Sequence, residues 1–268
     1  MPWGTSFIVE NKGGVGGLIG SMEVARAAPD GYTLLMGSTG PLAISPQLVK
    51  ASTYDPRKDF TPVIELAGVP QMLLVRSDSP YKSVQDLIAA AKANPGQLTY
   101  GSGGIGSLSN LTMELFKQRA GVDIVHVPYK GAAPAYNDLL SGRLQVMFDT
   151  TPAALKFVQT GRLRFLAAST TTRTSAAPDV PTLGEAGLPG FDVLGWLGIV
   201  APRGLAPAKR KRLNEGFQQA LQDPEVRNRL EALGLTPLGG TPEQFGSYVR
   251  SEYDKFAGII KTAKITPQ

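Results

Sequence analysis

The chain has 268 residues, a formal net charge of +5, 42% hydrophobic and 18% charged residues, enough to bury one large or two modest cores. With no cysteine and one histidine, disulfides and thiolate chemistry are excluded, and a classical zinc site or Ser-His-Asp triad has too few residues to build it. No apolar run approaches the roughly 20 residues of a membrane-spanning helix, and the first residues, Met1 to Ser6, carry neither the basic nor the apolar region of a signal peptide.

The 31 glycines and 21 prolines fall between periodic segments, as in α/β chains with many tight turns. Phe7–Asn11 reads as a strand, residues 12–17 as a glycine loop, and Leu18–Ala28 as a helix with its apolar stripe at Ile19, Met22 and Ala25. Tyr32–Gly37 reads as a short strand ending at Ser38-Thr39-Gly40; small hydroxyl residues at such a strand end suit ligand contact or the capping of a helix over Leu42–Val49. Val63–Leu66 and Met72–Val75 read as two strands leading out of the first domain. Ser83 then caps a helix, with Asp86 at its third position and Asn94-Pro95-Gly96 as its stop.

The stretch Leu98–Asn110 is the most informative. It predicts a strand, a glycine-rich loop through Gly101, Ser102, Gly103, Gly104, Gly106 and Ser107, and a helix buried through Leu108, Leu111 and Leu115. Glycines let the backbone adopt positive φ and approach a ligand closely. The free N–H groups of the next helical turn and the positive end of its dipole then suit capture of a small anion. Such a loop also serves tight packing alone. Strand, glycine loop and helix therefore occur twice, about ninety residues apart.

Val122–Val127, Leu144–Phe148 and Leu163–Ser169 read as strands alternating with helices over Ala133–Leu140 and from Pro152, which predicts a parallel sheet. Residues 170–189 read as loop and Phe191–Val200 as a long strand. Helices over Lys209–Leu221, Glu225–Leu233 and Pro242–Lys264 complete the chain. The basic run Lys209–Arg212 opens a helix without any nucleic-acid-binding signature and reads as a solvated face.

Enzymatic readings lack their residues. There is no Gly-x-Ser-x-Gly nucleophile elbow, and His126 lies in an apolar alternating strand as a core residue. A dinucleotide fingerprint fails at Ile19 after Gly14-Val15-Gly16 and at Ser109 after Gly104-Ile105-Gly106. No cofactor is expected.

Six strings in order, Val9–Gly17, Ala28–Leu35, Tyr100–Ser107, Val127–Gly131, Asp138–Gly142 and Pro178–Leu183, make the chain resemble the tripartite tricarboxylate transporter substrate-binding family, the Bug receptors. The resemblance implies an α/β, two-lobed periplasmic-binding-protein fold of type II-like form, each lobe a mostly parallel sheet flanked by helices. Lobe 1 comprises residues 1–75 and 193–268, and lobe 2 residues 76–192. Two hinge strands lie near Gln71–Val75 and Val193–Val200.

It further implies a periplasmic, monomeric receptor without catalytic activity. A small mono-, di- or tricarboxylate would be held in the interlobe cleft for an integral membrane transporter or a sensor; a purely signalling role uses the same fold. Ser38 and Thr39 carry over as ligand contacts from lobe 1. Gly101, Ser102, Gly103, Gly104, Gly106 and Ser107 carry over from lobe 2, with Tyr129, Lys130 and Asp149 at strand ends nearby. Trp196 either walls the cleft or packs the hinge. The family pattern places a first strand and an acidic Pro/Gly-rich loop ahead of the region matching Val9; the chain lacks both, so the first lobe is expected to be N-terminally incomplete.

Overall fold

The computed structural model describes residues 6–12 and 17–267. In chain order the elements are α1 (Leu18–Ala25), β1 (Leu35–Ser38), a π-type turn (Gly40–Ile44) running into α2 (Ser45–Leu48), β2 (Phe60–Arg76), α3 (Val84–Ala93), β3 (Thr99–Ser102), α4 (Leu108–Ala120) and β4 (Val125–Pro128). There follow α5 (Ala132–Ser141), β5 (Val146–Thr150), α6 (Thr151–Gln159), β6 (Leu163–Ala168), β7 (Leu194–Pro202), α7 (Pro207–Gln222), α8 (Pro224–Ala232), β8 (Thr236–Pro237) and α9 (Pro242–Thr262). Two compact units divide the chain. One holds the chain up to Gly68, Trp196–Leu230 and the chain from Pro237; the other holds Val69–Gly195 and Glu231–Thr236. The chain passes between them four times, inside β2, β7, α8 and β8.

In the first unit β1 runs antiparallel to β7 with Gly37 opposite Gly198. Both glycines are required by packing: a Cβ on Gly37 would strike Leu42, and one on Gly198 would strike the Phe245 ring. Val63 and Ile64 of β2, Ile199 and Ala201 of β7, and Leu213 and Leu221 of α7 belong to one buried core cluster. Helix α9 starts with a capping box in which Thr241 accepts from the Gln244 amide and the Gln244 side chain accepts from the Thr241 amide, closing exposed donors at both positions. The basic run at the start of α7 is a solvated face engaged locally: Lys209 donates to the Asp30 carbonyl at 2.7 Å and Arg210 pairs with Glu243 at 2.6 Å.

In the second unit β3 pairs in parallel with β4 and with β5, because α4 and α5 provide the crossovers that parallel neighbours need. The sheet as a whole is mixed. The later half of β2 lies antiparallel to β5, from Gln71 opposite Thr150 to Leu74 opposite Met147, and antiparallel to β6 on its other side. Met72, Leu74, Tyr136, Leu139, Met147 and Phe165 form a core against α5 and α6. Ser83 caps α3 as its sequence predicts, accepting from the Asp86 amide at 3.1 Å while the Asp86 carboxylate accepts from the Ser83 amide at 3.0 Å.

Three expectations are corrected. Phe7–Asn11 is not a strand: none forms there among the described residues, and Ile8 and Val9 stand exposed. The four glycine-loop residues that follow, 13–16, lie outside the described residues. Helix α1 turns Leu18, Ser21 and Val24 inward instead of Ile19, Met22 and Ala25, a rotation of one residue that places Ser21 Oγ on the Gly17 carbonyl at 3.0 Å. The two strands expected at Val63–Leu66 and Met72–Val75 are one unbroken strand of 17 residues.

Candidate functional site

Strand β3 delivers Ser102 to a five-residue loop, and Ser107 caps α4, its Oγ accepting from the Asn110 amide at 3.3 Å. Gly104 stands at φ +128° and Gly106 at φ +74°, backbone that an L side chain rarely adopts. The loop's own side chains engage its amides: Gly103 N–H donates to Ser109 Oγ at 3.3 Å, Gly104 N–H to Ser102 Oγ at 3.1 Å and Gly106 N–H to Asn110 Oδ1 at 2.9 Å. The Gly104 carbonyl accepts from both Ser107 N–H and Ser107 Oγ–H, at 3.1 and 2.7 Å. Among the described residues no acceptor is placed against the amides of Leu108 and Ser109. Two donors at the positive end of a 13-residue helix are thus open, whereas the three loop glycines are already satisfied.

A polar string fixes the loop from beneath. Tyr100 Oη donates to Glu114 Oε1 at 2.5 Å and accepts from Asn110 Nδ2 at 2.7 Å. Lys117 Nζ completes the string on Glu114 at 3.0 Å. Burial, and then the bond to Glu114, raise the Tyr100 phenol far above its ordinary range, so it stays a donor. The His126 ring stacks on Tyr100 with centroids 4.6 Å apart, and its Nε2 lies 2.6 Å from Ser102 Oγ. His126 is half-buried and faces the loop through Ser102, a partner that its place in an apolar alternation does not reveal.

The other candidates of this unit fall around the same loop in different roles. Gly101 is buried in β3, where a Cβ would sit 2.5 Å from Leu144 and 3.2 Å from Ala135. Tyr129 N–H donates to the Ser102 carbonyl at 3.2 Å and Gly131 N–H to that of Gly103 at 3.2 Å, so β4 and its turn close one side of the loop. The Tyr129 hydroxyl points away to Asp138 Oδ2 at 2.7 Å; burial and that bond push the phenol up to about 12. Lys130 is exposed.

Asp149 sits on β5, opposite Met72. Its Oδ1 accepts from the Thr150 amide at 2.7 Å, and burial raises its carboxyl above the usual range, with the Thr150 amide and the Tyr136 hydroxyl working against this. Among the described residues of this unit, Gln71 Nε2 is buried without a hydrogen-bond partner. Gln71 sits 1% exposed in β2; its sequence neighbourhood is apolar and carries no site signal.

In the first unit, Ser38 closes β1 opposite Leu197. Thr39 is 2% exposed and its Oγ1 accepts the Trp196 amide at 2.9 Å. Trp196 is a packing residue here: its ring meets Phe245 and Tyr248 edge-on with centroids 5.5 and 5.9 Å apart, and its Nε1 has no hydrogen-bond partner. Among the described residues no group of three or more His, Cys, Asp or Glu side chains is placed to hold a metal, and no helix is long and apolar enough to cross a membrane.

Comparison with known proteins gives a consistent result. The model of the "Tripartite tricarboxylate transporter family receptor" matches residues 3–265. An R. palustris protein solved with adipate aligns with a TM-score of 0.89 and 37% identity, over 99% of this chain and 89% of that one. The periplasmic binding protein BugD aligns with a TM-score of 0.82 and 34% identity, over 97% and 88%. MatC from Rhodopseudomonas palustris, solved with bound malate, aligns with a TM-score of 0.79 and 33% identity, over 92% and 85%.

Proposed function

This chain belongs to the tripartite tricarboxylate transporter receptor family, and from that premise we propose that it is a non-enzymatic, periplasmic receptor for a small carboxylate. The observation that carries the reading is the pair of open amides, Leu108 and Ser109, at the head of α4 beside a loop whose three glycine amides are already bound. A carboxylate there meets oriented N–H groups and the helix dipole, without needing a formal positive charge. Ser102, Ser107 and Asn110 hold the loop in shape, and Gly104 and Gly106 supply the backbone torsions that it requires. Adipate and malate, bound by two proteins of similar sequence and fold, favour a four- to six-carbon dicarboxylate. The receptor would hand this ligand to membrane subunits of a transporter.

A thermal-shift screen over mono-, di- and tricarboxylates tests the reading. A ligand that binds the native state stabilises it by mass action, by about 2.7 kcal/mol at a hundred times Kd, and so raises Tm with concentration. The expected result is a rise with adipate, malate or a near homologue that grows with the logarithm of ligand concentration. No rise with any member of the panel overturns it.

A further inference from the structure

The geometry points to His126 as a positioning residue whose protonation state is transmitted to the carboxylate-binding loop through the hydroxyl of Ser102. Ser102 Oγ lies 2.6 Å from His126 Nε2 and 3.1 Å from both the amide nitrogen and the carbonyl oxygen of Gly104. It has one proton to place among these neighbours. With a neutral imidazole whose Nε2 carries the lone pair, the hydroxyl donates to His126 and its oxygen accepts the Gly104 N–H. The Gly104 carbonyl is then left to Ser107. With an imidazolium, Nε2–H donates to Ser102 Oγ and the hydroxyl proton turns to the Gly104 carbonyl, in competition with Ser107 Oγ–H. Ser107 has an alternative neighbour in Ser109 Oγ at 3.1 Å. Protonation thus rewires the hydrogen bonds of the loop and adds a positive charge beneath it.

Besides Ser102, three side chains bear on the ring: Tyr100 stacked from β3, and Glu114 and Lys117 from α4. Burial lowers the imidazole below its ordinary value of 6.5; Glu114 works against this and Lys117 with it. A carboxylate at the head of α4 adds a negative charge that favours the imidazolium. This inference rests on the carboxylate-receptor reading. By reciprocity, if the bound anion raises the affinity of His126 for its proton, the proton raises the affinity for the anion by the same factor. Binding therefore tightens as pH falls through the His126 titration.

Because the sequence holds one histidine, its imidazole resonances report on this group alone. The experiment is an NMR pH titration of the wild-type chain with and without saturating adipate, with adipate affinity measured from pH 5 to 8 for wild type and His126→Gln. Glutamine keeps a side-chain amide within reach of Ser102 and does not titrate, so the ratio of the two profiles removes the protonation of adipate itself. The expected result is an upward shift of the His126 titration by adipate. The wild-type to variant affinity ratio should grow on acidification, by up to about tenfold for each unit of that shift. A His126 titration that saturating adipate does not move, although the loop amides respond to it, overturns the inference and leaves the receptor standing. Loop amides and Tm indifferent to adipate and to the other carboxylates overturn the receptor reading and this inference with it. Should His126→Gln fail to fold, the wild-type titration still decides.

Discussion

A β-carbon on Gly104 would lie 3.2 Å from the carbonyl oxygen of Tyr129, so the loop and the turn after β4 approach each other as closely as a glycine allows. The φ of +128° adds torsional strain for any other residue. Gly104→Val is therefore expected to lower stability by about 1–3 kcal/mol and to abolish carboxylate binding, with Gly104→Ala intermediate in both. Calorimetric titration with adipate, run beside a melting curve, separates the two effects. A Gly104→Val chain that binds like wild type would remove the loop from the site.

Thr39 and Trp196 are 157 positions apart in sequence and joined by one hydrogen bond, from the Trp196 amide to Thr39 Oγ1. Both residues are buried, so removing the acceptor leaves a buried N–H unpaired, at about 1–3 kcal/mol. Thr39→Val should lower Tm by several degrees, whereas Thr39→Ser, which keeps the oxygen, should lower it much less. Equal losses in the two variants would show that packing, and not the bond, is what Thr39 supplies.

These two sites mark where the sequence is legible and where it is not. Local chemistry reads well: Ser83 and Asp86 stand at capping-box spacing and form one, and Leu98–Asn110 gives strand, loop and helix in place. The hydrogen bonds of Ser102, Ser109 and Asn110 to the loop amides do not read from the sequence, because which donor each oxygen takes depends on distances set by the folded loop. Nor does the role of Thr39, whose partner lies far along the chain. Ala67-Gly68-Val69-Pro70 looks like a break between strands, yet β2 runs straight through it, buried, at the point where the chain leaves one unit for the other. Conversely, Phe7–Asn11 has strand composition, yet among the described residues it forms no strand and leaves Ile8 and Val9 exposed.

Glu65, on β2, shows a pH dependence with a definite sign. Burial, with Glu252 adding like charge, pushes its carboxyl up from 4.5 to about 7, and its Oε1 is buried without a partner. The folded chain holds this proton more tightly than the unfolded chain does. Stability from Glu65 is thus fully present below about pH 4.5, falls as pH rises through the interval to 7, and is lost above it. At 1.36 kcal/mol for each unit, the loss is on the order of 3 kcal/mol at most. Glu65→Gln should raise Tm at pH 8 and change it little at pH 4.5. A gain of the same size at both values would show that Glu65 does not titrate in this interval.

The open amide of Leu108 can be removed almost alone. Leu108 is the first residue of α4, where proline is well tolerated because that N–H makes no bond within the helix. The preceding residue, Ser107, has φ −68° and ψ 157°, the extended backbone that a following proline requires. Leu108→Pro therefore deletes one donor while keeping the helix, the Ser107 cap and an apolar side chain. If that N–H bonds a carboxylate, the loss is that of one charge-assisted hydrogen bond, about 1.5–3 kcal/mol, or roughly 10- to 150-fold in Kd for adipate. Far-ultraviolet circular dichroism and Tm should stay close to wild type. Unchanged affinity in a folded Leu108→Pro chain would show that the carboxylate does not engage this amide and would move the anion away from the head of α4.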